Sequence, residues 1–304
     1  MKVLKLPLTV QVYTAGAALC SIALAACLFY AGALHVHPLK EPAAAVMAID
    51  LPDGSLTAKA AIIYDPTTDT VLYAKNADLT LPLASVTKLL TAYTILDSVP
   101  TSTIITLTAK DTSVDSDAGD WGLKTGDTLS LNDLIKIGLV ASSNYAMSAA
   151  AGSLGSSYME DMNAHASKLG LSHTYFLNPT GLDINASLSG AYSSAADIAT
   201  LAAAFLKNYP QYFELSSRPS VSVTASGHSV VAKATTVPLQ DIPGFIGAKT
   251  GYTDLAGGNL VLAYDVDINH PLIAVVLGST QAGRFADIRT LVDASRSMFA
   301  SNTP

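Results

Sequence analysis

Apolar positions along this chain fall into three regimes, and each predicts a different kind of element. From Val12 to Leu34 they run almost unbroken, and no charged residue stands between Leu6 and Leu39. As a helix, residues 12–34 would be roughly 35 Å long, enough to cross a bilayer. Next come short apolar runs, Ala60–Tyr64 and Val71–Ala74, on either side of Asp65-Pro66-Thr67-Thr68-Asp69-Thr70, a hairpin pattern. From Ser85 onward the period lengthens. Ser85–Leu96 contains no Gly or Pro, and Leu131, Leu134, Ile135 and Leu139 recur at helical spacing within Leu129–Val140. Helices are also expected over Asn144–Leu154, over Tyr158–Leu169 with Gly170 as the stop, and over Ser194–Leu206 with Ser194 as N-cap.

The pattern then returns to strand: a short run at Ile104–Leu107 inside the helical stretch, alternation at Val221–Val223, and three successive strands at Phe245–Tyr252, Asn259–Asp265 and Leu272–Leu277. A closing helix is expected over Arg284–Phe299. Strands at both ends with helices between them imply an α/β (α+β) unit. Its antiparallel sheet would be split in sequence, flanked by helices, with a helical subdomain inserted at about residues 108–210. The domain boundaries that follow are 1–35 for a membrane anchor or signal segment, 36–58 for a linker marked by Pro38, Pro42, Pro52, Asp53 and Gly54, and 59–301 for the folded domain.

Lys2 and Lys5 before the apolar segment favour a signal-anchor with its positive flank in the cytoplasm. Two other readings stand beside it. Ala31-Gly32-Ala33 has the small residues of a signal-peptidase site, and Leu24-Ala25-Ala26-Cys27 resembles a lipoprotein box. All three put the domain outside the cytoplasmic membrane, in contact with the membrane through residues 12–34.

Composition narrows the chemistry. The chain of 304 residues carries a formal charge of −7, and only 13% of its residues are charged, which argues against a nucleic-acid partner. Cys20 and Cys27 are the two cysteines, and both lie in the apolar segment, so the remainder has no thiol nucleophile and no cysteine metal site. The six histidines show no ligand spacing, and no metal or other cofactor is expected. There is no Gly-x-Ser-x-Gly elbow.

What remains is Ser85-Val86-Thr87-Lys88. On a helix the serine and lysine share a face. An amine kept neutral by burial or by neighbouring cations can take the hydroxyl proton. Backbone N–H groups at a helix start favour a developing oxyanion. Ser142-Ser143-Asn144, between two expected helices, adds a hydroxyl and a carboxamide that can relay a proton and hold an amide. Lys249-Thr250-Gly251, inside an expected strand, adds a cation, a hydroxyl and a close backbone approach for an extended peptide. Taken singly, each has a plainer reading: a solvated helix face, a cap, a turn. A second Lys-Thr-Gly, at Lys124-Thr125-Gly126, reads as a turn.

In this order and in these contexts, the three motifs from about residue 59 to 299 resemble those of the low-molecular-weight penicillin-binding proteins, the serine-type D-alanyl-D-alanine carboxypeptidases. Val71–Ala77, Met162-Asn163-Ala164, Lys168-Leu169-Gly170, Thr174–Leu182 and Gly247–Thr253 are similar as well. The resemblance implies a β-lactamase/transpeptidase-like fold and release of the terminal D-alanine from peptidoglycan stem peptides, with β-lactams as inhibitors. It implies Ser85 as nucleophile, Lys88 as its base, and Ser142 as the proton relay to the leaving amine. Asn144 would hold the substrate amide, and Lys249 would tune the field. Thr250 and Arg284 would meet the substrate carboxylate, Gly251 would admit the substrate backbone, and the N–H groups of Ser85 and Tyr252 would form the oxyanion hole. Two positions depart from the pattern: Tyr145, where an acidic residue is usual, and Ala191, where a histidine is common.

Two other functions compete. A β-lactamase of the same fold needs a carboxylate to activate the deacylating water, and Asp183 is the only acid in Phe176–Asn185. A catalytically idle wall-binding homologue would need none of the reacting groups, yet all of them are present.

Overall fold

A computed structural model describes residues 49–114 and 121–301. The expected membrane span at 12–34 lies outside the described residues. Among the described residues no helix is long and apolar enough to cross a membrane.

The frame is one five-stranded antiparallel sheet. Its strands are β1 (Ala60–Asp65), β2 (Thr70–Lys75), β3 (Phe245–Thr253), β4 (Gly257–Asp267) and β5 (His270–Ser279), in the order β3-β4-β5-β1-β2. Register fixes the union of the two ends of the chain: Ile62 lies opposite Val275 and Ile63 opposite Ala274. Both faces are covered, which is why these strands read as unbroken apolar runs. Ile62, Val261 and Val275 point into the core shared with the helical region, while their neighbours Ile63, Leu262 and Ala274 point into a second core. That second core is closed by Ile288 and Leu291 of the final helix, Gly283–Ser301.

The helical region consists of α1 (Lys88–Ser98), α2 (Leu131–Val140), α3 (Asn144–Gly152), α4 (Tyr158–Lys168) and α5 (Ala195–Asn208), and the closing helix is α6 (Gly283–Ser301). Serines start three of them: Ser130, Ser143 and Ser194 each accept the N–H of the residue three further on. Gly170, at φ +76°, ends α4 as its position suggested.

Three local expectations change. The helix expected from Leu129 begins at Leu131, because Thr128–Ser130 pair with Ile104–Thr106 as a ribbon. Val221–Val223 belongs to a longer strand, Ser220–Ala225, whose partner His228–Lys233 was not anticipated. Ser226 and Gly227, both at positive φ, make the two-residue turn between them. The last residues of the expected linker are also docked on the domain. Leu56 and Ala58 are buried, and the buried Asp287 carboxylate accepts the N–H groups of Thr57 (2.9 Å) and Ala58 (2.9 Å). Pro52 and Gly54 signal a loop, but nothing in their neighbourhood reveals a partner some 230 residues away.

Candidate active site

Ser85 does not begin an α-helix directly. It lies in a 3₁₀ turn, Ala84–Thr87, that runs into α1 at Lys88. Ala84 has φ +49°, a conformation that costs a non-glycine residue energy and so needs outside support. That support is visible. Leu83 N–H donates to Ala191 O (3.0 Å), Thr87 Oγ1 to Ala84 O (2.7 Å) and Asn259 Nδ2 to Pro82 O (2.8 Å). Gly181 lies against the Ala84 carbonyl, where a Cβ would collide. Gly251 of β3 lies just as close on the other side: a Cβ there would sit 2.8 Å from Leu83 O and 3.1 Å from Ser85 N. The serine is thus clamped between a loop and the edge strand of the sheet.

Lys88 is fully buried, with Nζ 2.5 Å from Ser85 Oγ and 2.9 Å from Thr180 O. Burial, and then the charge of Lys249, hold its amine well below the ordinary lysine range. Among the described residues no carboxylate pairs with it. A neutral amine in this setting can give a hydrogen to Thr180 O and take one from Ser85. The Thr180 carbonyl is delivered by a loop folded around Asn178, whose Oδ1 accepts Gly181 N–H (2.7 Å) and whose Nδ2 donates to Leu182 O (2.8 Å). Thr91 of α1 fastens the same loop through Pro179 O (2.8 Å).

A second lysine–hydroxyl pair stands nearby. Ser142, in the link between α2 and α3, has φ +61°. Its Oγ accepts from Lys249 Nζ at 2.8 Å, and the same ammonium donates to Thr250 O at 2.9 Å. Burial, and then the Arg284 charge, lower Lys249 to about 7. Asn144 is buried at the start of α3. Thr250 Oγ1 donates to Thr235 Oγ1 (2.7 Å). Arg284, near the start of α6, donates from Nη1 to Gly251 O (2.5 Å), and burial lowers it to about 10.

These groups are gathered at one cleft of about 1190 Å³. Ser85, Ser142, Asn144, Thr250, Gly251, Tyr252 and Arg284 line it, while Lys88 and Lys249 lie beneath it, each reaching one of its serines. Sequence reasoning missed Thr235 and the Thr180 carbonyl. Asn178-Pro179-Thr180-Gly181 announced a turn, but a backbone acceptor aimed at Lys88 leaves no mark in residue types. Among the described residues no group of His, Cys, Asp or Glu is placed to hold a metal ion.

The sequence profile of the D-alanyl-D-alanine carboxypeptidase family matches residues 45–281. The chain belongs to this family of serine peptidases. It is 32% identical over 294 residues to D-alanyl-D-alanine carboxypeptidase DacD of Salmonella typhimurium, covering 91% of this chain and 71% of that protein. It is also similar to the crystal structure of a D-alanyl-D-alanine carboxypeptidase from Mycobacterium tuberculosis, with a TM-score of 0.72 and 27% identity over 84% of this chain and 95% of that one. A third likeness is to penicillin-binding protein D2 of Listeria monocytogenes in its ampicillin-bound form, with a TM-score of 0.70 and 28% identity over 80% of this chain and 99% of that one.

Within this carboxypeptidase-family fold, the departures noted in the sequence take on definite surroundings. Ala191 supports the nucleophile turn through its carbonyl. Tyr145 packs at the edge of the helical core. Asp183, the acid a β-lactamase reading would need, accepts from Thr253 Oγ1 (3.0 Å) and Leu255 N–H (3.2 Å), so both oxygens are engaged with the end of β3. Lys124-Thr125-Gly126 is a turn closed on Asp127, which accepts Lys124 N–H at 2.8 Å, and it does not border the cleft.

Proposed function

We propose that this chain removes the terminal D-alanine from peptidoglycan stem peptides through an acyl-enzyme on Ser85, and that β-lactams inhibit it by acylating the same oxygen. The observation that carries this reading is the meeting of two serine–lysine pairs on one cleft, Ser85 with Lys88 at 2.5 Å and Ser142 with Lys249 at 2.8 Å, beside the edge strand β3.

In the first step Ser85 Oγ attacks the carbonyl carbon between the two D-alanines, and its proton passes to the neutral Lys88. The N–H groups of Ser85 and Tyr252 receive the oxyanion; one such donor is worth about 10²–10³ in rate. Collapse breaks the C–N bond, and the proton held by Lys88 reaches the departing amine through Ser142, which gives one proton and regains another while Lys249 holds the serine in place. Asn144 orients the substrate amide and Gly251 admits the substrate backbone alongside β3. Thr250 and Arg284 face the terminal carboxylate. Water then attacks the acyl carbonyl, Lys88, neutral again, takes the water proton, and as the ester C–O bond breaks it returns that proton to Ser85 Oγ.

Residues 1–35 are proposed as an anchor in a bacterial cell membrane, 36–58 as the connection and 59–301 as the extracytoplasmic peptidase domain, with its helical subdomain at about 108–210. Placement outside the cytoplasm agrees with a substrate that belongs to the cell wall.

The decisive experiment is Ser85→Ala in the full chain. Labelling by a fluorescent penicillin should vanish, and D-alanine release should fall by about 10⁴-fold or more. Unchanged release would end the proposal. For the anchor, the full chain should stay in the membrane fraction through a high-salt wash; recovery in the soluble fraction would remove that part of the reading.

A further inference from the structure

The carboxylate side of the cleft holds a hydroxyl that the motifs do not include. Thr235 follows the hairpin strand His228–Lys233 and lines the cleft. Its placement is secured on three sides. Its own N–H donates to Val140 O (3.1 Å), two residues before Ser142. The adjacent Thr236 Oγ1 donates to Ser216 O (2.5 Å), and Ser216 Oγ accepts Ala248 N–H of β3 (2.7 Å). The hairpin exit, the Ser142 turn and the edge strand are therefore tied together, with Thr235 at the junction.

The direction of one hydrogen bond makes this residue significant. Thr250 Oγ1 donates to Thr235 Oγ1 at 2.7 Å. A threonine hydroxyl carries a single hydrogen. With that of Thr250 directed at Thr235, the hydrogen left for a ligand is the one on Thr235. A hydroxyl that accepts one hydrogen bond becomes a better donor in the next. Arg284, in the same cleft, is nearly buried, and its Nε has no acceptor among the described residues. A guanidinium and a hydroxyl donor that line one cleft match an anion.

We propose that Thr235 is a further binding residue for the terminal carboxylate of the substrate: Thr250 donates to Thr235, and Thr235 donates to the carboxylate beside the Arg284 cation. This rests on the acyl-enzyme reading above and assigns one more contact within it. Thr250 then acts on the carboxylate chiefly through its neighbour.

The test compares two substrates on the full chain: a peptide ending in D-Ala-D-Ala with a free carboxylate, and the same peptide as its C-terminal amide. The wild-type chain should prefer the acid. Thr235→Val keeps the shape and removes the hydroxyl. It should lower kcat/KM for the acid about 10- to 100-fold, the range for losing a hydrogen bond to a charged group, and leave the amide within about twofold. Thr235→Ser should restore the acid rate to within about threefold. Equal losses on acid and amide would mean a merely structural role and overturn the proposal. An acid-to-amide ratio unmoved by Thr235→Val, or a wild-type chain without that preference, would overturn it too. A wild-type chain that neither releases D-alanine nor takes up a fluorescent penicillin fails one step earlier, at the Ser85 reading, and that result is distinguishable from a labelled chain whose ratio does not move.

Discussion

Two serine–lysine pairs meet in this cleft, and they are built in opposite ways. Ser85 and Lys88 are three residues apart on one turn, so local backbone geometry brings them to 2.5 Å. Ser142 and Lys249 are 107 residues apart, and only the packing of a helix link against an edge strand brings them to 2.8 Å. Both lysines are fully enclosed, and neither is matched by a carboxylate among the described residues. Burial is the leading cause of the lowered basicity of each. The asymmetry lies in the second cause. Lys88 feels Lys249, whereas Lys249 feels Arg284. The local pair thus depends for part of its reactivity on the long-range one, and a mutation in the second should be read out in the first.

The sharpest way to break this comparison is to remove each amine in turn. Lys88→Met should lower acylation by a fluorescent penicillin by about 10³–10⁴-fold at every pH, because the group that takes the proton is gone. Lys249→Met should cost less, about 10²-fold, and should also move the pH profile. Acylation needs Lys88 neutral, so the rate falls as pH drops through its lowered pKa. Removing the Lys249 charge lets that pKa rise, and the acid limb should shift to higher pH. An unmoved limb would show that the two pairs are not coupled.

Stability supplies the second readout of the same variant. Lys249 titrates at about 7 in the folded chain and at 10.5 as an ordinary lysine. Between those values the unfolded chain binds the extra proton, so stability rises with pH across this window and the cost of the buried charge is fully present below it. Lys88, lowered in the same direction, adds to the trend. Tm measured from pH 7 to 10 should climb in the wild-type chain and climb less in Lys249→Met. Equal slopes would mean that burial does not lower the basicity of Lys249, which would then keep its proton in the folded chain as it does in the unfolded one.

The smallest expected effect belongs to the duplicate motif. Lys124→Ala should change acylation by less than about twofold, since an exposed lysine away from the cleft contributes little to it. A loss as large as that of Lys249→Met would mean that the two Lys-Thr-Gly copies had been assigned the wrong way round.

Much of the frame was legible before any coordinates. The hairpin at residues 60–75, the three late strands and the closing helix all follow from periodicity, because side chains repeat every two or 3.6 residues and both faces of this sheet are covered. The capping serines were equally readable at Ser194, where the side chain accepts Asp197 N–H. Less legible were elements whose reason lies elsewhere in the fold. His228–Lys233 alternates only weakly and becomes a strand by pairing with Ser220–Ala225. Thr57 and Ala58 look like the end of a linker until the Asp287 carboxylate is seen to hold them.

The sequence by itself determined which residue types are available and which near neighbours share a face: a serine with a lysine one turn on, a strand that can carry Lys249-Thr250-Gly251, and a family pattern spread over both. Tertiary structure alone decided that Ser142 meets Lys249, that the Thr180 carbonyl meets Lys88, and that Thr250 turns its hydrogen to Thr235. The physical reason is range. Periodicity is set by backbone geometry over a few residues, whereas burial, basicity and hydrogen-bond direction belong to contacts between segments that the chain places about a hundred residues apart, such as Ser142 and Lys249.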